Sequence, residues 1–72
     1  MIRDMQLHVD ETARAMIARY GGEARWHAEF RADTLHAQGE LRAALSWRMV
    51  MRAISSIAAE RVAVDAIEAL GA

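Results

Sequence analysis

Glu29, Asp33 and His36 stand at i, i+4 and i+7, a spacing that gathers three possible metal ligands on one helical face. Asp33-x-x-His36 has the i, i+3 separation of the Glu-x-x-His element that holds iron in di-iron bundles. Such a centre draws further carboxylates from facing helices. Here the first helix offers none on its apolar stripe, and the third offers Glu60 only at a distance. The trio therefore reads as a solvated polar face, and no metal is expected. Glu23 with His27, and His36 with Glu40, are i, i+4 pairs suited to weak surface contacts. The hydroxyls of Thr12, Tyr20, Thr34, Ser46, Ser55 and Ser56 include none in a strand-turn-helix elbow. The glycines do not form a phosphate loop. No catalytic residue and no cofactor site is expected, and the chain reads as a non-enzyme. Seventy-two residues leave little room to enclose a pocket.

Arg42, Arg48 and Arg52, with Trp47 among them, form the most basic stretch. Guanidinium groups at that spacing could meet an acidic protein or a phosphate backbone. They could also meet an anionic membrane surface, with Trp47, Met51 and Ile54 as apolar anchors. The plainer reading puts the arginines outward above a buried Trp47 stripe. Nine basic residues, all arginine, oppose ten acidic ones, for a net charge of −1. That balance argues against a general nucleic-acid binder, which is usually clearly basic. Nucleic acid and membrane surface are therefore the lesser expectations.

The elements that carry these residues are punctuated by glycine alone, because the chain has no proline. Gly21-Gly22 and Gly39 divide it, and helices commonly end where glycine can take a positive φ. At about 100° per residue, Ile2, Met5, Val9, Ala13, Met16, Ile17 and Tyr20 fall on one stripe. The stripe crosses Asp10, which favours one long first helix over a helix capped at Asp10. The second helix, from about Glu23 to Ala37, carries two apolar stripes. Ala24, Ala28, Ala32 and Leu35 form one; Trp26, Phe30 and Ala37 lie roughly 160° away. Such a helix is either sandwiched between its neighbours, or turns Trp26 and Phe30 towards a second chain. Beyond Glu40, residues Trp47, Val50, Met51, Ile54, Ile57 and Ala58 share one side. After Ala58 the polar Arg61, Asp65 and Glu68 move roughly 160° round the wheel. Either the helix breaks near Ser55 to Glu60, or one long helix changes partner halfway and projects its C-terminal half beyond the body, which would favour a dimer. Ser55-Ser56 can bond back to the backbone and bend the helix there, so a break or kink is the expectation. The fold class is all-α: one domain, residues 1–72, a small bundle of three to four helices at about 2–20, 23–37, 40–57 and 58–70.

Size then speaks to partners. The chain is 54% apolar, but 16 of those 39 residues are alanine, leaving 23 larger apolar side chains. Domains this small often need a disulfide, a metal or a partner for stability. With no cysteine, disulfides and thiolate sites drop out. A homo-oligomer or a larger protein partner is the expected route, with Trp26, Phe30, Arg48 and Arg52 as candidate partner-binding residues. The five methionines suit an adaptable surface or simply fill the core. The first residues lack the apolar centre of a signal peptide, and the longest weakly charged run, Ala43 to Ala59, contains two arginines. A cytoplasmic location is expected.

The residues Arg19-Tyr20-Gly21, then Ala24, Ala28, Arg31 and Leu35, then Gly39-Glu40, Trp47 and Ala53-Ile54 make a spaced pattern over a little over half the chain. It resembles a group of short uncharacterised helical proteins of alphaproteobacteria with a similar "YG, A, G-D/E, W, I" skeleton. The segments before Asp10 and after Ala58 have no counterpart in that pattern. The resemblance implies compact helices and no known activity.

Overall fold

A computed structural model describes the backbone of residues 2–71 and the side chains of residues 8–71. Helix α1 spans Ile2–Tyr20, a single 3-10 turn spans Gly21–Glu23, α2 spans Ala24–Ala37 and α3 spans Leu41–Gly71. Among the described residues only Gln38, Gly39 and Glu40 lie outside helix, and there is no strand. The all-α class holds. The bundle of three to four separate helices does not. The 3-10 turn joins α1 to α2 as one bent helical stretch, and everything after Glu40 is a second one.

The long first helix is present, continuous through Asp10. The break expected near Ser55-Ser56 is absent: α3 runs 31 residues without interruption. Among the described residues, neither of these two serines bonds back to the backbone. That interaction occurs instead at Thr34, whose hydroxyl donates to the Phe30 carbonyl at 2.8 Å, and at Ser46, which donates to Arg42 at 3.2 Å. With no proline and good helix formers throughout, nothing local opposes continuation. The shift of polar residues after Ala58 marks a change of surroundings within one helix, not its end.

The two chain reversals use glycine for a definite reason. Gly21 adopts φ +58° and Gly39 φ +79°, conformations costly for a residue with a Cβ. At Gly39 the Glu40 amide donates to the Leu35 carbonyl at 2.9 Å, and the Gly39 amide donates to His36 at 3.0 Å. This is a Schellman closure, which satisfies two carbonyls left over at the end of α2. Chain direction follows from neighbours. Val9 and Thr12 lie beside Trp47 and Val50, while Ile17 and Gly21 lie beside Ile54 and Ala58, so α1 runs parallel to α3. Arg25 lies beside Arg52 and Ser55, and Leu35 beside Trp47, so α2 runs antiparallel to it.

The core is built from small residues. Ala13, Ala24, Ala28 and Ala32 are fully buried. Around them stand Val9, Met16, Val50, Ile54 and Ile57, all buried. Ile17, Tyr20, Trp47, Met51 and Ala53 pack against this cluster while keeping part of their surface in water. The α1 stripe is thus confirmed from Val9 onward; Ile2 and Met5 lie outside the residues whose side chains are described. Trp47, expected to be buried, is only half-buried. It sits at the edge between α2 and α3, with the Arg31 guanidinium 5.0 Å above its ring. From Ala58 to Gly71 every residue is exposed; the neighbouring segments reach along α3 only as far as Ala58 to Arg61, where Ile17, Gly21 and Arg25 lie.

Two substitutions test this account. Ala28→Leu inserts three carbons where α2 meets α3, and overpacking of this kind costs about 1–3 kcal/mol, read as a lowered melting temperature. Gly39→Ala meets no atom within 4 Å of the added Cβ. Its cost is therefore conformational, about 1 kcal/mol, and a variant as stable as the parent would refute the Schellman assignment.

Candidate interaction surface

The first exposed apolar surface is on α2. Its alanine face meets α3, so residues on the far side have no helix of this chain to cover them. Trp26 and Phe30, one turn apart, are 61% and 60% exposed. Their rings stack at 5.8 Å with 20° between planes. Trp26 also meets His27 edge-on at 5.0 Å, and His27 stacks on Tyr20 at 3.8 Å. The chain of rings therefore reaches from the open face of α2 to the end of α1. The sandwiched-helix expectation is corrected: α2 packs on one side only, because α1 lies along α3 rather than across the aromatic face. Stacking between Trp26 and Phe30 holds the two rings in one arrangement, which lowers the entropy cost of ordering them in a contact.

The basic residues divide. Arg48 reaches α2 and approaches Asp33 at 3.7 Å, which joins two side chains that the sequence placed in separate groups. Arg52 and Arg48 share a hollow with Arg25, Met51 and Ser55. Arg25 is a contributor the sequence reading missed, since only the antiparallel packing of α2 brings it beside α3. Arg42 is exposed and does not line that hollow.

The polar trio is reduced in the same way. Glu29, Asp33 and His36 are all exposed, and Asp33 is engaged by Arg48. Among the described residues, no three histidine, aspartate or glutamate side chains stand close enough to hold a metal ion. Glu23 and His27 do approach, at 3.9 Å, a distance at which an exposed pair contributes little.

A second exposed surface runs along α3, and it too was missed. Leu41, Leu45 and Met49 are exposed on its first half, and Val62, Val64, Ile67 and Leu70 on its second, with Leu70 at 87%. Leu45, Met49 and Leu70 share one stripe, whereas Val62 and Val64 point to opposite flanks of it. The signal was available in the spacing: Leu45, Met49, Arg52, Ser56, Ala59, Ala63, Ala66 and Leu70 follow one another at alternating steps of four and three. No described helix is long and apolar enough to cross a membrane. No protein-family model matches the chain, and no curated protein and no solved structure matches it.

The two aromatic sites should separate on mutation. Trp47→Ala removes a half-buried ring from the α2–α3 edge and should cost about 2–3 kcal/mol, below the 3–5 kcal/mol range of fully buried aromatics. Phe30→Ala removes an exposed ring and should leave helicity and melting temperature within about 0.5 kcal/mol of the parent. Circular dichroism melts of both variants check this. A Phe30→Ala protein as damaged as Trp47→Ala would place Phe30 in the fold rather than on the open surface.

Proposed function

We propose that this is a small non-enzymatic helical protein that acts by binding other protein surfaces, as an accessory, regulatory or inhibitory subunit, and that it is oligomeric. The observation that carries this reading is surplus surface. The chain exposes 5793 Å², whereas a compact protein of 8.0 kDa exposes about 4,450 Å². The excess of about 1,300 Å² is larger than the ~800 Å² that each partner contributes to a standard interface. Its radius of gyration, 14.1 Å, compares with about 11 Å for a compact domain of this length. Trp26 and Phe30 supply the aromatic anchor that interfaces favour. Arg48 and Arg52, in the hollow they share with Arg25, are further candidate contacts. Kinship with the alphaproteobacterial helical group is part of the same proposal and brings no activity with it.

A second reading rests on the hollow shared by Arg25, Arg48 and Arg52, where three guanidinium groups could meet a phosphate backbone or an anionic membrane surface. The Asp33 contact to Arg48 and the near-neutral chain weaken it. Binding to DNA or anionic vesicles that fell steeply with added salt would favour this second reading.

Affinity capture from the native host tests the first. The parent protein should retain a specific protein partner that Phe30→Ala loses. Loss of an interface aromatic can cost about 2 kcal/mol, or roughly thirtyfold in affinity. Equal capture by both proteins would remove the aromatic pair from the interface.

A further inference from the structure

We infer that the outer face of α3 pairs, antiparallel, with the same face of a second copy of this chain. The inference rests on the protein-binding reading above and names the occupant of the surface that reading leaves open. On the α3 wheel, α1 lies beside Trp47, Val50, Ala53 and Ile57, with Asp10 and Arg14 at the rim near Met49, Arg52 and Ser56, and α2 lies beside Trp47 and Met51. The third side of α3 is the stripe Leu45, Met49, Arg52, Ser56, Ala59, Ala63, Ala66 and Leu70. Its 4-3 spacing holds for more than three heptads, the repeat that keeps one seam facing another helix. The stripe extends the length of α3, past the body formed with α1 and α2.

The stripe is self-complementary under a two-fold axis, and only in the antiparallel sense. An axis between Ile57 and Ala58 sets Leu45 of one copy against Leu70 of the other, Met49 against Ala66, Arg52 against Ala63, and Ser56 against Ala59. Met49 and Arg52 each meet an alanine, the two short residues Ser56 and Ala59 meet beside the axis, and leucines close both ends; alternation of large and small residues at facing positions fills space without voids. The charges agree. Leu41–Ser56 carries Arg42, Arg48 and Arg52 and no acid, whereas Ile57–Gly71 carries Glu60, Asp65 and Glu68 against Arg61. Antiparallel pairing brings the basic half beside the acidic half. A parallel pair would stack like on like. The Arg52 stem can lie over the other copy's Ala63 and present its guanidinium to Glu60 one turn away. Within a single chain Arg52 and Glu60 are about 12 Å apart along the helix, and Arg52 makes no ion pair among the described residues. A polar residue inside an apolar seam costs stability but fixes register. The area fits as well: an interface of standard size removes ~800 Å² per chain, most of the surplus.

Sedimentation equilibrium of the full chain tests the proposal. The parent should weigh twice its 8.0 kDa at micromolar concentration. Ala66→Glu places a charge in the seam at a position exposed in the single chain, and should weaken association about a hundredfold with helicity of the body retained. Arg52→Glu and Glu60→Arg should each weaken it, and the double exchange should restore it. A swap of charges restores pairing only if the two residues meet across chains. A parent protein that stays at 8.0 kDa overturns the proposal. So does a dimer indifferent to Ala66→Glu, or a double exchange that fails to rescue. A dimer dissolved by Phe30→Ala and untouched by Ala66→Glu would overturn the seam while leaving the aromatic surface as the binding face; loss of host-protein capture, by contrast, would bear on the protein-binding reading alone.

Discussion

Four alanines with no exposed surface set the distance between the helices, and most other features follow from that distance. Ala24, Ala28 and Ala32 recur every fourth residue on α2, and Ala13 occupies the equivalent place on α1. A methyl group at each crossing lets backbones approach more closely than larger side chains would allow. Close approach leaves no space for large side chains between the axes. They are displaced to the edges, where Trp47, Met51 and Tyr20 cover the seams while remaining partly wet. Among the described residues, no large side chain is completely buried. The core is thin, so its hydrophobic contribution is limited, and each helix keeps one side in water.

α3 is the element that unites the fold. Both α1 and α2 lie along it, in opposite directions, and each meets α3 far more than it meets the other. The arrangement is close to a single layer of helices, only 16 Å across its thinnest dimension. Two separate outer surfaces carry exposed apolar residues: the Trp26–Phe30 stack on α2 and the outer stripe of α3. In the proposed assembly, the first of these surfaces meets a further protein and the other a second copy of the chain.

Much of this was legible in the sequence. The stripe from Val9 to Tyr20 followed helical spacing closely, and the alanine stripe of α2 and the Val50–Ile54–Ile57 set were each on the predicted face. Gly21 and Gly39 marked the reversals because the required φ excludes most other residues. Three things were not legible. Burial of Trp47 depends on how far α2 reaches along α3, which no local pattern encodes. Arg25 joins Arg48 and Arg52 only through packing between distant segments, as does the Asp33–Arg48 contact. The continuity of α3 was obscured by reading a change of polar face as a change of element. A face shifts when the neighbours change, whereas a helix ends when its backbone bonding is interrupted, and residues 55–60 contain nothing that interrupts it.

That continuity has a consequence for how order is distributed along the chain. The amides of Val50 and Ile54 lie under the packed core, so their exchange with solvent requires the body to open. Those from Arg61 onward are held only by bonds within their own helix, and a segment of about a dozen residues is marginal as an isolated helix in water. Protection should therefore fall along α3 after Ile57, like a rope fraying beyond its last knot, while the core end stays closed. Anything that covers the outer stripe would move the knot to Leu70, making the helix–coil balance of the last three turns a direct reporter of binding.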